Sequence, residues 1–325
     1  MSQVCKTNRL EWIDALRAFA IVLVIIGHCA PNCYMYFLFT SPVKIPLFFV
    51  ITGFVFNPRD GRVIPFLKNL FVKIVIPWLI LGLLPIAVAV PAKGIDWLFQ
   101  YFLQMLSGVS IWFMPCLIYA EIIWFFCRKY AKSNSQIIIA SVCFAIAGLI
   151  FADNHILDYG MINRAFIVQL FMSLGFIFRT YIDRIKKTKS LYLCILIALY
   201  IALIGVSYIF YPGESIDVHT NCYYNIVLCF TLIAIGCCTV FMIASRLKRI
   251  TNFISFLGQN TLLLYMWSPY VILMCHKIES MIGVENVNSF PIALITSSIT
   301  CTICCVISIA VNKYAPFIVG KKYVK

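Results

Sequence analysis

The sequence predicts an all-α membrane protein, a polytopic helical bundle of about ten transmembrane helices with both termini on the cytoplasmic side. Three observations predict it. Of 325 residues, 62% are hydrophobic and only 12% are charged. Apolar runs of about twenty residues recur along the chain, each long enough to cross a hydrocarbon core of ~30 Å. The basic residues fall almost entirely on alternate connections, as the positive-inside rule requires. A membrane barrel would show short alternating segments instead.

The elements follow in order. The first span, 12–31, comes after a polar, partly basic stretch from Met1 to Glu11, and no clean small-residue cleavage pattern follows it. It therefore reads as a retained span rather than a signal peptide. The second, 42–57, has the shortest apolar core and carries Thr52 and Gly53, read either as a close-packing site or as part of the lining of a cavity. The third runs over 71–90. Trp97 to Ser110 reads as an interfacial helix with aromatic anchors. The remaining spans are placed at 111–127, 136–152, 164–179, 190–210, 222–245, 253–275 and 290–311.

With ten spans, 22 of the Lys and Arg residues fall on the side of the termini, and only Lys44, Lys93, Arg164 and Lys277 on the other. Shifting the count by one span in the middle would scramble that asymmetry. It also gives the net charge of +14 a topological explanation, with membrane lipids rather than nucleic acid as the partner. The fifteen cysteines are scattered, with adjacent pairs only at Cys237-Cys238 and Cys304-Cys305. They read as small apolar residues and not as metal ligands or disulfides. No soluble domain or repeat interrupts the chain, so residues 1–325 read as one transmembrane domain whose chemistry lies in or beside the bilayer.

The first span is unusual. Its stretch "LRAFAIVLVIIGHCA" holds Arg17 near one end and His28 near the other. At about 100° per residue, their spacing of eleven residues leaves a remainder of about 20° after three full turns, with ~16 Å between them along the axis. The two side chains therefore share a face, and Asp14 lies on it three residues before Arg17. Polar groups in membrane spans face a bundle interior or a wet cavity. A shared cavity bordered by arginine on the cytoplasmic side and histidine further across suits a ligand with an anionic head and a reactive end, with histidine available for proton transfer.

"EWIDALRAFAIVLVIIGHCA" resembles the first span of the membrane acyltransferase 3 family, whose hallmark is an arginine, ten residues and a histidine; Arg17 and His28 match it. Later segments are similar to the family in order: "IPLFFVITGFVF", "FLKNLFVKIVIPWL", "IWFMPCLIYAEI", "LGFIFRTY" and "FLGQNTLLLYMWSPYV". Only the first motif is specific alone; the ordered set is stronger and covers nearly the whole chain. Two departures stand out. Ser268 replaces a histidine that many members carry before proline, and Lys68 and Lys73 stand where the family has arginines. Lysine attracts phosphate but lacks the bidentate fork.

The resemblance implies transfer of an acyl group, commonly acetyl, from cytoplasmic acyl-CoA to a hydroxyl of a surface glycan or its lipid-linked precursor, at a bacterial cytoplasmic membrane. Acetyl-CoA is then a co-substrate, and no cofactor is permanently bound. On this reading His28 is the general base, and Arg17, Lys68, Lys73 and Arg179 receive the donor's phosphates. Arg59 and Arg62 extend the basic rim. Glu121, near mid-membrane, either orients His28 or hydrogen-bonds as a neutral acid to a neighbouring helix. Asp14, Thr52, Trp112 and Ser268 are expected along the cavity. Gln259 and Asn260 read as helix caps, and His155, His219 and His276 as solvated residues of outer loops and span ends. A carrier that moves a glycan, lipid or small anion without chemistry is the competing reading. Oligomeric state is left open.

Overall fold

The computed structural model describes residues 10–57, 61–87, 94–283 and 289–321. Among them the chain is helical, and the only strand-like pairing is an isolated antiparallel bridge between Asp217 and Cys222. The basic residues Lys6, Arg9, Arg59, Lys93, Lys322 and Lys325, and the 88–90 end of the third expected span, lie outside the described residues.

Helix α1 (Glu11–Cys29) is the hub and packs against six other helices. Trp12 at its start meets Phe54 and Phe241 edge-on, at 5.3 and 5.0 Å between ring centroids. The second span begins earlier than expected. It runs from Tyr34 to Val55, as α2 (Tyr34–Lys44) and α3 (Pro46–Val55) meeting at Ile45. The aromatic run Tyr34 to Phe39 is apolar enough to extend it. Pro46 has no N–H to give the Pro42 carbonyl one turn back; the Cys237 thiol approaches that carbonyl at 4.0 Å instead, the kind of substitution that lets membrane helices tolerate proline.

Next come α4 (Val63–Leu70), a π turn (Phe71–Val75) and α5 (Ile76–Ala87). The π turn closes with the Ile76 N–H on the Phe71 carbonyl. It lies just before Pro77, whose ring cannot coexist with a normal helical bond to the carbonyl four residues back, that of Lys73. Helix α6 (Ile95–Ser107) forms within the segment read as interfacial, with Ile95, Phe99 and Leu103 exposed. Then follow α7 (Phe113–Tyr130), α8 (Asn134–Asp153), α9 (Ile162–Ile167), α10 (Gln169–Thr180), α11 (Ile182–Lys187), α12 (Ser190–Phe210), α13 (Ile226–Ser245), α14 (Asn252–Gln259), α15 (Thr261–Met281) and α16 (Phe290–Tyr314).

Among the described residues seven of these helices or helix runs are long and apolar enough to cross a membrane, and an eighth is added if the pair 159–167 and 169–180, bent by 44°, counts as one broken span. The other two expected spans coincide with α7 and α15, which carry polar groups such as Glu121, Arg128, Ser268 and Glu279. The expected 222–245 span starts at Ile226, because Asp217 to Asn225 form a loop closed by the Asp217–Cys222 bridge and by the Asn225 cap on the Leu228 N–H.

The tightest crossing is α3 on α10. A Cβ on Gly53 would overlap the Met172 carbonyl, and one on Gly175 the Val50 carbonyl. Small residues let membrane helices approach to backbone contact, and the close-packing role expected of Gly53 is met here. Gly258 does the same for α14 against the Asp14 backbone.

Candidate functional site

Three elements run past two cavities. One cavity, about 300 Å³, is lined by Arg17 of α1, Thr52 of α3, Lys73 of the π turn, Glu121 of α7 and Tyr265 of α15. The other, about 500 Å³, is lined by His28 of α1, Lys44 of α2, Trp112 and the loop residues Asp217 and His219. Ile45, at the break between α2 and α3, is a wall of both. Phe48, Phe113 and Tyr265 form an aromatic collar on the Arg17 side of it, with centroid separations of 5.6 and 5.4 Å.

Arg17 and His28 thus face cavities, as the helical phase requires, but each has its own. A single tunnel joining them was expected; a bulky residue stands between them instead. Proline at 46 breaks the second span at this level, so Lys44 points to the His28 side while Phe48 and Thr52 line the Arg17 side. The Thr52 hydroxyl donates to the Phe48 carbonyl at 2.9 Å, which leaves its oxygen lone pairs towards the cavity.

Glu121 shares the cavity of Arg17 and Lys73, not that of His28. The reason is distance along α7: Trp112, at its start, reaches the His28 cavity, and Glu121 lies nine residues on, about 13 Å further. Asp14 is not a cavity wall. It is 2% exposed, lies 3.9 Å from the Arg17 guanidinium and accepts the Ser255 hydroxyl at 3.2 Å. Its contribution is to steady Arg17 from behind. Ser268 is buried within α15 and lines neither cavity.

The basic rim divides. Lys73 enters the Arg17 cavity, whereas Lys68 borders an apolar outer groove with Leu67, Phe71 and Ile118. The π turn Phe71–Val75 that carries Lys73 begins between the two residues, and their side chains take different faces. Arg179 donates to the Phe56 carbonyl at 2.7 Å and fastens the end of α3. Asn260 is the cap residue between α14 and α15: its side-chain amide donates to the Phe256 carbonyl at 2.8 Å, closing the end of α14, and its side-chain oxygen accepts from Asn312 at 2.7 Å and from Lys321 at 3.3 Å. Gln259 donates to the Ser255 hydroxyl at 2.9 Å, and the N-terminal cap of α14 is Thr251.

Sequence reasoning missed Lys44, Asp217 and His219. His219 is not a free loop residue; its ring stacks on Trp112. The loop is pinned by Arg164, whose Nε donates to the His219 carbonyl at 2.9 Å while its guanidinium pairs with Asp158. Asp217 accepts the His219 N–H at 2.9 Å and the Thr220 hydroxyl at 3.0 Å. Burial holds the His219 imidazole below its ordinary pKa; Asp217 pulls it up and Arg164 adds to the depression. The cue in the sequence was the lone Arg164 on the sparsely basic side. Of the other histidines, His155 pairs with Asp158 and His276 with Glu279, which also accepts the Thr296 hydroxyl.

The arrangement offers a cationic chamber and an imidazole chamber in series. A family model described as an acyltransferase domain, that of acyltransferase 3, matches residues 10–309. No curated protein and no solved structure gives a match.

Proposed function

Because the chain belongs to the acyltransferase 3 family, and is in general terms a multi-pass membrane acyltransferase, we propose that it moves an acyl group, acetyl first among candidates, from acyl-CoA to a hydroxyl of a surface glycan or its lipid-linked precursor at a bacterial cytoplasmic membrane. One observation carries this reading: a single helix, α1, presents a guanidinium to one cavity and an imidazole to the next, with Ile45 between. A long donor with an anionic head and a thioester end spans that separation of ~16 Å. Its phosphates meet Arg17 and Lys73 from the cytoplasmic side, and its narrow arm passes the aromatic collar and Ile45. The acceptor occupies the His28 cavity from the far side.

His28 takes the proton of the acceptor hydroxyl as the oxygen attacks the thioester carbonyl. The carbon–sulfur bond then breaks, and the imidazolium returns its proton to the leaving thiolate. Glu121 offsets part of the charge that Arg17 and Lys73 gather in the donor chamber. The test uses purified protein in detergent with labelled acetyl-CoA and a lipid extract of the source cells as acceptor. Thiol release with label appearing in the extract is expected, and its loss in His28→Ala with insertion unchanged. A carrier would give neither donor binding nor thiol release.

A further inference from the structure

We propose that Lys44 is the electrophilic partner of His28, its ammonium donating hydrogen bonds to the oxyanion that forms on the acyl carbon; this rests on the acyl-transfer reading above. Lys44 lies at the middle of the 22-residue apolar run Tyr34–Val55, and it faces a cavity that the loop residues Asp217 and His219 also line. Its side chain runs back along α2, as helical side chains do, and its Nζ lies 4.0 Å from the centroid of the Phe37 ring.

The neighbouring helix is shaped to admit it. A Cβ on Gly27 would stand 3.4 Å from Lys44 Nζ and 3.3 Å from the Tyr36 ring. The bare backbone beside His28 is therefore where the ammonium rests. The Tyr36 hydroxyl donates to the Leu23 carbonyl and clamps α2 to α1 at this level. Among the described residues Lys44 meets the Phe37 and Tyr36 rings and forms no ion pair. A half-buried cation in a spanning helix without a carboxylate at contact distance is costly, and this one faces the same 500 Å³ cavity as the proposed base.

The step balances. The acceptor oxygen forms a bond to the thioester carbon as His28 takes its proton, and the carbonyl π pair moves to the oxygen. Lys44 holds that oxyanion by hydrogen bonds without giving up a proton. When the pair returns, the carbon–sulfur bond breaks, and the thiolate is protonated by the His28 imidazolium. Fixed donors aimed at such a charge are worth about 100-fold or more in rate.

The experiment compares wild type, Lys44→Met, Lys44→Arg and Gly27→Ala in proteoliposomes made with the source cells' lipid extract, reading thiol release against acetyl-CoA concentration. Thermal unfolding in detergent checks that each variant folds. Lys44→Met should lose about 100-fold in kcat with KM for acetyl-CoA within about threefold. Lys44→Arg should recover part of it, and Gly27→Ala should lower kcat by crowding the ammonium. A wild-type kcat in Lys44→Met, or a loss erased by adding more extract, overturns the proposal while leaving the acyl-transfer reading intact if His28→Ala is dead. Absence of thiol release in wild type overturns both.

Discussion

His219 stacks on Trp112 with 5.0 Å between ring centroids and 20° between ring planes. The pair joins the loop that follows α12 to the start of α7 and forms one wall of the His28 cavity. Beside that stacking, Arg164, more than fifty residues earlier in the chain, ties the loop to α9 through the His219 carbonyl.

Arg164→Gln should loosen this wall. It removes the Nε bond to His219 and the pair with Asp158, whose carboxylate is 40% exposed. We expect a stability loss of about 1–3 kcal/mol and a raised KM for the acceptor extract with KM for acetyl-CoA unchanged. Chemical or thermal unfolding and initial-rate kinetics read the two effects. Equal rises in both KM values would count against a wall confined to the acceptor side.

His219 should make stability depend on pH. Its folded pKa is depressed chiefly by burial, so on acidification the unfolded chain binds a proton first, near the ordinary value of ~6.5. The stability tied to the neutral ring is present above that pH and is lost as pH falls through the folded value. Asp217 and Arg164 face the same ring, the carboxylate raising its pKa and the guanidinium lowering it. The gap in melting temperature between wild type and His219→Asn should narrow from pH 7.5 to pH 5; a gap that widens contradicts the burial of a neutral imidazole.

Lys73 and Lys68 should behave differently although both are basic and only five residues apart. Lys73→Met and Arg17→Gln should each raise KM for acetyl-CoA about tenfold, the cost of one lost charge-assisted contact of ~1.4 kcal/mol. Lys68→Met should leave it unchanged, since Lys68 borders the outer groove. Donor titrations of the three variants decide the matter.

Ile45→Trp should separate donor binding from transfer. On the proposed reading the donor's arm passes Ile45, and a larger side chain there would block it, so labelled acetyl-CoA should still bind within about threefold while thiol release falls at least tenfold. Full activity in this variant would mean that the acyl group does not pass Ile45.

Gly53→Ala should be among the most damaging single changes outside the cavities. Its methyl would meet the Met172 carbonyl, and backbone cannot step aside as a side chain can. A loss of several kcal/mol follows from forcing α3 off α10. Gly205→Ala, with nothing within 4 Å of its added methyl, should be neutral or slightly stabilising. Unfolding temperatures of the two variants in one detergent give the comparison.

What the sequence determined by itself was local. Run length and hydropathy set where helices lie, and the eleven-residue spacing put Arg17 and His28 on one face of α1. Glycine beside Thr52 marked a close crossing. Each of these follows from geometry within one helix. Tertiary structure alone decided what each face meets: that Ile45 divides the cavity in two, that Glu121 joins Arg17 and not His28, that Lys68 looks outward, that Asp14 backs its arginine against α14, and that Lys44 and His219 line the cavity of the imidazole. Helical phase fixes an angle about one axis. It cannot say which neighbour stands there, because that depends on contacts between residues far apart in the chain and on two re-aiming devices, the Pro46 break and the π turn before Pro77, whose consequences exist only once the helices pack.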